Sequence, residues 1–219
     1  MIIAEIGQNH SSDMQLAKTM IGIAQECNAD KVKFQLFDYE KLYPTHVIPD
    51  WSLSKKQAFD LFDYGNRIGI EVFFSVFDTE RVQWCEEMGV KTYKLAGTLK
   101  DSRIAKAVLE TGKYIISSYP RIYIFENYPF IDYLYCINKY PVTLEELRFN
   151  VVPFDNVYQG YSDHTIGIEA CQIALSRGAK IIEKHFSLEY NMGIDGRWSM
   201  LPMELLRLKQ FENTVRKVL

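Results

Sequence analysis

The chain has 219 residues, of which 47% are hydrophobic and 24% charged, a composition typical of one globular domain with a sizeable core. A formal net charge of −3 without a lysine- and arginine-rich cluster argues against nucleic acid as a partner. No apolar run reaches the roughly 18 residues of a membrane span, and the first residues do not resemble a signal peptide. The four cysteines include no C-x-x-C pair, so we expect reduced thiols in a cytoplasmic protein that binds no membrane.

Short runs of β-branched and aromatic residues alternate with longer helical patterns along the chain. The short runs predict eight strands, at residues 2–7, 31–37, 71–77, 92–96, 114–118, 133–138, 157–162 and 180–186. The helical patterns, most of which end at glycine, predict helices at residues 13–27, 54–69, 79–89, 102–112, 166–178 and 202–219. The fifth unit is the weakest, because residues 121–130 show little helical periodicity.

Eight such units, of about 27 residues each, predict an α/β fold: a single, compact (β/α)8 TIM barrel over residues 1–219. An open, doubly wound sheet is the alternative, but it would normally have fewer strands and a glycine-rich first turn. The first turn here reads Gly7-Gln8-Asn9-His10. No linker, repeat or low-complexity segment interrupts the chain, so we do not expect a second domain.

Polar residues lie at or near the carboxyl end of nearly every predicted strand. Because side chains alternate along a strand, Lys33 and Gln35 share one face, and Glu183 and His185 share another. Each residue taken alone is more often a solvated rim or packing residue. In a barrel, however, all these ends converge on one mouth, where enzymes of this fold keep their active sites. The sequence therefore predicts an active site at that mouth.

Two histidines, His164 after the seventh predicted strand and His185 in the eighth, suggest a metal site. Adjacent strands lie about 4.8 Å apart, so two imidazoles can reach one divalent cation and leave positions for water and substrate. Glu183 could orient or balance the site. Two histidines without a firm third ligand suit a Mn²⁺-like or Fe²⁺-like ion better than zinc. The alternative, equally compatible with the spacing, is that His164 caps the following helix.

Two lysines, Lys33 and Lys94, lie on the second and fourth predicted strands. Hydroxyl and amide side chains on other strands would join them in a cationic mouth that suits a small phosphorylated carboxylate. The alternative is that both lysines are solvent-exposed charges at the rim of the barrel and bind no ligand. The hydroxyl and amide residues are Ser75, Ser118, Asn138 and Ser162.

These motifs resemble the N-acetylneuraminate (sialic acid) synthase family over almost the whole chain and in family order. The pair of stretches around His164 and His185 is the most specific part of the resemblance. Gly193-Ile194-Asp195 and Ser199-Met200 extend it. The matching stretches are 3–10 (IAEIGQNH), 32–35 (VKFQ), 93–96 (YKLA), 138–141 (NKYP), 160–165 (GYSDHT) and 182–186 (IEKHF).

The resemblance implies a β/α barrel that condenses phosphoenolpyruvate with an N-acetylated hexosamine into a nine-carbon 2-keto acid and phosphate. It implies that His164 and His185 hold the metal, with Mn²⁺ expected and Mg²⁺, Fe²⁺ or Co²⁺ as alternatives. The expected partners are phosphoenolpyruvate and an amino sugar, and a homodimer stays open. The implied phosphoenolpyruvate ligands are Lys33, Lys94, Ser75, Ser118, Asn138 and Ser162. The implied sugar ligands are Gln35, Tyr140 and Asp195, with Glu5 nearby. The expected catalytic residues are Glu5, Lys33, Lys94, His164 and His185.

The turn after Lys94 departs from the family pattern of serine, glycine and an acidic residue. Gly97 falls on the serine position, with Thr98 as a substitute. Leu99 falls on the acid position, and Asp101 is a candidate replacement. The resemblance implies that this acid assists water or proton transfer, so its loss favours a catalytically impaired barrel.

Two further departures affect the sugar pocket. Residues 117–121 (SSYPR) stand where the family has a Thr-Gly-Met-like turn. The family's C-terminal antifreeze-like domain, which lends an arginine to the partner subunit's sugar site, is not in the sequence; Arg121 and Arg197 are candidate substitutes. These differences leave two alternatives: condensation with another aldose, including a phosphorylated one, or a catalytically impaired barrel that binds a sugar or phosphoenolpyruvate.

Overall fold

The computed structural model describes residues 1–45, 48–99, 101–118, 130–154 and 157–218. Eight parallel strands follow one another around a closed barrel in chain order, and the last pairs with the first. This confirms the predicted TIM barrel. The strands are β1 Ile2–Gly7, β2 Lys31–Leu36, β3 Glu71–Val76, β4 Thr92–Leu95, β5 Tyr114–Ser117, β6 Ile131–Cys136, β7 Gly160–Asp163 and β8 Ile181–His185.

Helices cover the outside of the barrel and begin at side-chain caps that the sequence provides. Ser54 forms a capping box with Gln57, and Asp13 and Asp78 cap two other helices. One predicted helix begins later than expected, at Glu169 instead of residue 166, and one short helix was not predicted. The helices are α1 Met14–Glu26, α2 Tyr39–Leu42, α3 Lys55–Ile68, α4 Thr79–Met88, α5 Ser102–Glu110, α6 Glu169–Ser176 and α7 Pro202–Val218.

A large apolar core fills the space between the strands and the helices, and a small one fills the amino-terminal part of the barrel. The small core consists of Ile3, Phe73, Ile116, Leu134 and Ile181, all nearly or fully buried. Side chains alternate along a strand, so the residues two positions further on also point inward. Those residues are Glu5, Ser75, Ser118, Cys136 and Glu183. An apolar floor thus supports a polar layer toward the carboxyl ends of the strands.

Strand pairing brings the polar residues of neighbouring strands to the same level. Glu5 pairs in register with Lys33 on one side and with His185 on the other. Ser75 pairs with Lys94, and Ser162 pairs with Glu183. Among the described residues, no helix has both the length and the apolar character needed to cross a bilayer.

Candidate active site

One cavity of about 500 Å³ opens at the carboxyl ends of the strands. All of the site residues expected from the sequence line it, although they come from all eight units of the barrel. They are Glu5, Lys33, Gln35, Ser75, Lys94, Ser118, Asn138, Tyr140, Ser162, His164, His185 and Asp195.

A chain of alternating charges forms the bottom of the cavity. The Nζ atom of Lys33 lies 3.2 Å from Glu5 Oε2 and 3.3 Å from Glu183 Oε2, and it donates to Ser75 Oγ at 2.8 Å. The Nζ atom of Lys94 lies 3.4 Å from Glu183 Oε1. All four charged side chains are nearly or fully buried, so each lysine depends on these carboxylates for compensation.

The charge chain shifts the pKa values of its members in different directions. Burial raises the pKa of Glu183, but Lys33 and Lys94 outweigh it and lower that pKa to about 2. Burial also raises the pKa of Glu5, only partly opposed by Lys33. Burial lowers the pKa of Lys94, whereas Glu183 and Glu5 overcome burial and raise the pKa of Lys33. Of the four groups, Glu183 is therefore the carboxylate that is fully ionised at neutral pH.

Hydroxyl and amide groups surround Lys94. Its Nζ atom donates to Ser118 Oγ at 2.9 Å. Asn138 reaches across from the segment after β6 and donates to the carbonyl of Gly97 at 3.0 Å. Ser162 donates to Glu183 Oε1 at 2.9 Å. The wall of the cavity around Lys94 therefore presents one ammonium group and several neutral donors, which can bind an anion's oxygens.

Hydrogen-bond acceptors and amides converge on the other side of the cavity, around Gly7. Gln35 donates to Glu5 Oε1 at 3.0 Å, and Gln8 donates to the Tyr43 hydroxyl at 3.1 Å. Gly7 has φ +55, and a Cβ there would lie 3.2 Å from Glu5 Oε1, 3.3 Å from Gln35 Nε2 and 3.6 Å from Asp195 Oδ2. Glycine at this position allows the three side chains to close around the backbone.

His164 and His185 face each other at the end of β7 and β8, with ring centroids 5.7 Å apart. His164 Nδ1 lies 2.9 Å from the carbonyl of Ile137, which fixes the ring and leaves Nε2 available. The His164 side chain therefore does not cap the next helix, which begins after Ile168. Tyr140 packs on His164 with ring centroids 4.0 Å apart.

The two histidines fit a divalent cation by their charge state and surroundings. Burial lowers the pKa of His164 to about 4 and holds the pKa of His185 well below its usual range, so both imidazoles are neutral, as ligands must be. His185 Nδ1 is buried without a hydrogen bond, and Asp195 Oδ2 lies 3.4 Å away. The described residues offer no group of three or more side-chain ligands, so water and substrate would complete the coordination.

Asp195 belongs to a loop that Asn9 anchors. The fully buried Asn9 side chain donates to the carbonyl of Phe186 and to Ser199 Oγ, each at 3.0 Å, and accepts from the Asp195 backbone at 3.1 Å. Burial and the charge of Glu5 raise the pKa of Asp195 to about 7. Asp195 is thus held in place as a side chain that can exchange a proton near neutral pH.

A second ion pair lies directly behind the histidines, on the outer face of the barrel wall. Lys184 Nζ and Asp163 Oδ2 are 2.7 Å apart, and both side chains are fully buried. Both residues belong to the motifs that carry the family resemblance, but neither was assigned a role from the sequence. Their charged side chains at outward-facing positions, where the helices pack, are the signal that could have found them.

The turn after β4 brings no carboxylate into the cavity. Leu99 is 6% exposed and belongs to the apolar core, so it does not line the cavity. Asp101 caps α5 and pairs with Arg103 at 2.7 Å, so it does not replace the missing acid. Arg197 is exposed outside the cavity lining, and Arg121 lies outside the described residues.

Several residues that line the cavity were not assigned a site role from the sequence. Cys136 and Phe77 lie two positions beyond the inward-facing Leu134 and Ser75, so strand alternation could have indicated them. The others lie outside the strands and the long helices, where no periodicity shows which side chains turn inward. They are Gln8, Leu42 at the end of α2, Tyr43, Ile194 and Trp198.

Comparisons with known proteins match this chain over nearly its full length. An uncharacterised protein of Methanocaldococcus jannaschii is 32% identical over 99% of this chain and 70% of its own. The N,N'-diacetyllegionaminic acid synthase of Legionella pneumophila is 29% identical over 95% of this chain and 70% of its own. The crystal structure of an N-acetylneuraminic acid (sialic acid) synthetase from Leptospira borgpetersenii superposes with a TM-score of 0.92, at 27% identity, over 99% of this chain and 84% of that one.

The family comparison agrees with these relatives and with the resemblance seen in the sequence. The NeuB family model matches residues 20–219. The relatives from Legionella pneumophila and Leptospira borgpetersenii are synthases, which bears out the expectation of an enzyme. The chain belongs to the NeuB family.

Proposed function

We propose that the protein condenses phosphoenolpyruvate with an N-acetylated hexosamine similar to N-acetylmannosamine, giving a nonulosonic acid of the sialic, legionaminic or pseudaminic type and phosphate. One observation carries the proposal. A single cavity combines two buried, compensated lysines, a pair of neutral histidines and a cluster of carboxylate and amide acceptors. An anion, a cation and a polyol can therefore bind side by side.

Phosphoenolpyruvate would bind at the lysine side of the cavity. Lys33 and Lys94 would balance its charge, and the neutral donors would complete its hydrogen bonds. The lysines are already fixed by Glu5 and Glu183, so little reorganisation would accompany binding. The neutral donors are Ser75, Ser118, Asn138 and Ser162.

His164 and His185 would hold the divalent ion, for which we propose Mn²⁺. When bound, such an ion supplies Lewis-acid polarisation of the open-chain sugar aldehyde. Glu5, Gln35 and Asp195 would hold the sugar through its hydroxyl and amide groups, and Tyr140 would cover it from the mouth of the cavity.

The reaction joins carbon 3 of phosphoenolpyruvate to the aldehyde carbon, water adds at carbon 2, and the C2–O bond breaks to release phosphate. The chain mainly aligns the two substrates and stabilises the changing charge. Asp195, with a pKa near 7, is suited to protonate the aldehyde oxygen as it becomes a hydroxyl group. Lys94 and Lys33 would receive the growing charge of the departing phosphate.

A second candidate is condensation with a different aldose. The observation that favours it is the turn after β4, where buried Leu99 stands at the position at which the resemblance implies an acid. This turn lines the cavity through Ala96, Gly97 and Thr98, so a change in it alters the space left for the aldose.

Phosphate release from phosphoenolpyruvate, measured with Mn²⁺ across a panel of aldoses, tests the proposal. The panel includes N-acetylmannosamine, its 6-phosphate, a diacetamido-trideoxyhexose and arabinose. We expect turnover with an N-acetylated hexosamine, loss of turnover with chelator, and recovery with Mn²⁺. Lys94→Met is the matched negative control. No turnover with any aldose would refute an active condensing enzyme, and turnover with arabinose alone would favour the second candidate.

A further inference from the structure

We propose that the ion pair between Asp163 and Lys184 is a positioning device that holds His164 and His185 at metal-binding spacing. The proposal rests on the metal site of the proposed function and adds two residues that do not enter the cavity. Neither side chain lines the cavity, and each directly precedes one of the two histidines.

Strand register places the pair directly behind the histidines. Asp163 and Lys184 are cross-strand partners between β7 and β8, one step after Ser162 and Glu183. Alternation turns Ser162 and Glu183 inward, where they share a 2.9 Å hydrogen bond, and turns the ion pair outward. The two strands are therefore fastened on both faces immediately before the histidines.

The ion pair also holds the peptide groups that follow His164. Asp163 Oδ1 accepts the backbone N–H of Thr165 at 2.8 Å, and Lys184 Nζ donates to the carbonyl of Thr165 at 2.8 Å. The backbone of the residue after His164 is thus bound on both sides by the pair. This fixes the direction in which the chain leaves the strand, and with it the position of the His164 ring.

The surroundings of Asp163 complete its hydrogen bonding. Tyr161 donates to Oδ1 at 2.9 Å, and Cys171 of α6 donates to Oδ2 at 3.0 Å. A buried network in which both carboxylate oxygens and the ammonium group are hydrogen-bonded is rigid, whereas a buried ion pair adds little stability over a well-packed apolar pair. The role that remains for the pair is to fix geometry, which is what two ligands on separate strands require.

Mn²⁺ affinity and fold stability can be separated by two double variants of the chelator-treated protein. D163N/K184M removes both charges, so that neither is left buried alone. K209M/E212Q is the matched control, since Lys209 and Glu212 form a buried pair on α7, 2.6 Å apart, outside the cavity lining. The dissociation constant is measured from the electron paramagnetic resonance signal of free Mn²⁺, and stability from urea unfolding without metal.

We expect D163N/K184M to weaken Mn²⁺ binding by at least about 10-fold, as loss of groups that orient metal ligands does. K209M/E212Q should keep the dissociation constant within about 2-fold even where its urea midpoint falls. D163N/K184Q also removes both charges but keeps a side-chain donor for the carbonyl of Thr165, so it should give an intermediate loss and serves if D163N/K184M does not fold. Binding by either double variant within 2-fold of the unchanged chain would overturn the positioning role. If the unchanged chain binds no Mn²⁺, the proposed metal site fails first, and this proposal with it.

Discussion

The side-chain amide of Asn138 donates to the carbonyl of Gly97 at 3.0 Å and closes over the turn that follows β4. A Cβ on residue 97 would lie 2.3 Å from Asn138 Oδ1, so the present position of Asn138 requires glycine there. The serine that the resemblance implies at this position and the Asn138 conformation of this chain therefore exclude each other. Leu99, two residues further on, is directed into the core.

Gly97→Ser, which restores the family residue, should weaken phosphoenolpyruvate binding. The added side chain pushes Asn138 aside and removes one hydrogen bond, so we expect the KM for phosphoenolpyruvate to rise about 3- to 10-fold. The KM for the sugar should stay nearly constant. Steady-state phosphate release gives both values. In a double-mutant cycle with Asn138→Ala, the two effects should overlap instead of adding. An improved KM in Gly97→Ser would show that this interpretation of the turn is wrong.

Leu99→Glu should destabilise the protein without restoring catalysis. The new carboxyl group would be buried in the apolar core without a partner, which costs at least about 2 kcal/mol. Urea unfolding measures this loss, and Leu99→Met, which keeps the volume, should cost under about 1.5 kcal/mol. Turnover per folded molecule should not increase. A variant that is both stable and faster would indicate that residue 99 turns into the cavity.

His164 and Tyr140, whose ring centroids lie 4.0 Å apart, should have separable roles. His164→Ala should weaken Mn²⁺ binding by more than about 100-fold, because losing a ligand costs more than losing a group that orients one. Tyr140→Phe keeps the ring that packs on His164, so its Mn²⁺ affinity should be unchanged. Its KM for the sugar should rise about 3- to 10-fold through loss of the hydroxyl group. Titration calorimetry with Mn²⁺ and sugar kinetics check the two effects, and weaker Mn²⁺ binding in Tyr140→Phe would contradict the assignment.

Glu212 on α7 should make stability depend on acid pH. Burial raises its pKa, but Lys209 at 2.6 Å, the amino-terminal ammonium group of Met1 and Arg216 at 2.7 Å outweigh burial and lower it to about 2. Its contribution is therefore present above about pH 4.5 and is lost as the pH falls toward 2. At pH 7, Glu212→Gln should cost about 2 kcal/mol in urea unfolding, and the difference should vanish near pH 2. Glu110→Gln, at a surface pair with Lys106, is the control and should cost under about 0.5 kcal/mol at pH 7. A Glu212→Gln deficit that is constant with pH would contradict the charge explanation.

The barrel could be predicted from the sequence because strand patterns and helix patterns alternate along the chain. The inward-facing residues could be predicted because side chains alternate between the two faces of each strand. A strand that turns Ile3 inward must also turn Glu5 inward, and the same holds for Phe73 and Ser75. The eight runs of strand-forming residues give the number of strands that turn such residues into the barrel. The roles of the predicted site residues remain predictions, since alternation indicates where a side chain points and not what it binds.

Sequence patterns failed where tertiary contacts decide the local structure. The α6 helix begins at Glu169 because Thr165 is held by Val142 in a strand-like bridge and by Lys184, which delays the helix. The short helix at Tyr39–Leu42 is too brief for any periodicity to show. Likewise, the approach of Trp198 and Tyr43 to the cavity depends on the path of their loops.

The alternating charges at the bottom of the cavity compensate one another before any substrate binds. Glu5 and Glu183 act as built-in counter-ions to Lys33 and Lys94, so an incoming anion competes with fixed carboxylates instead of displacing mobile ions from solution. Anion affinity should therefore change less with ionic strength than it would at two exposed lysines. The same arrangement favours the binding of an anion that contacts both lysines at once over the binding of small inorganic anions that reach only one.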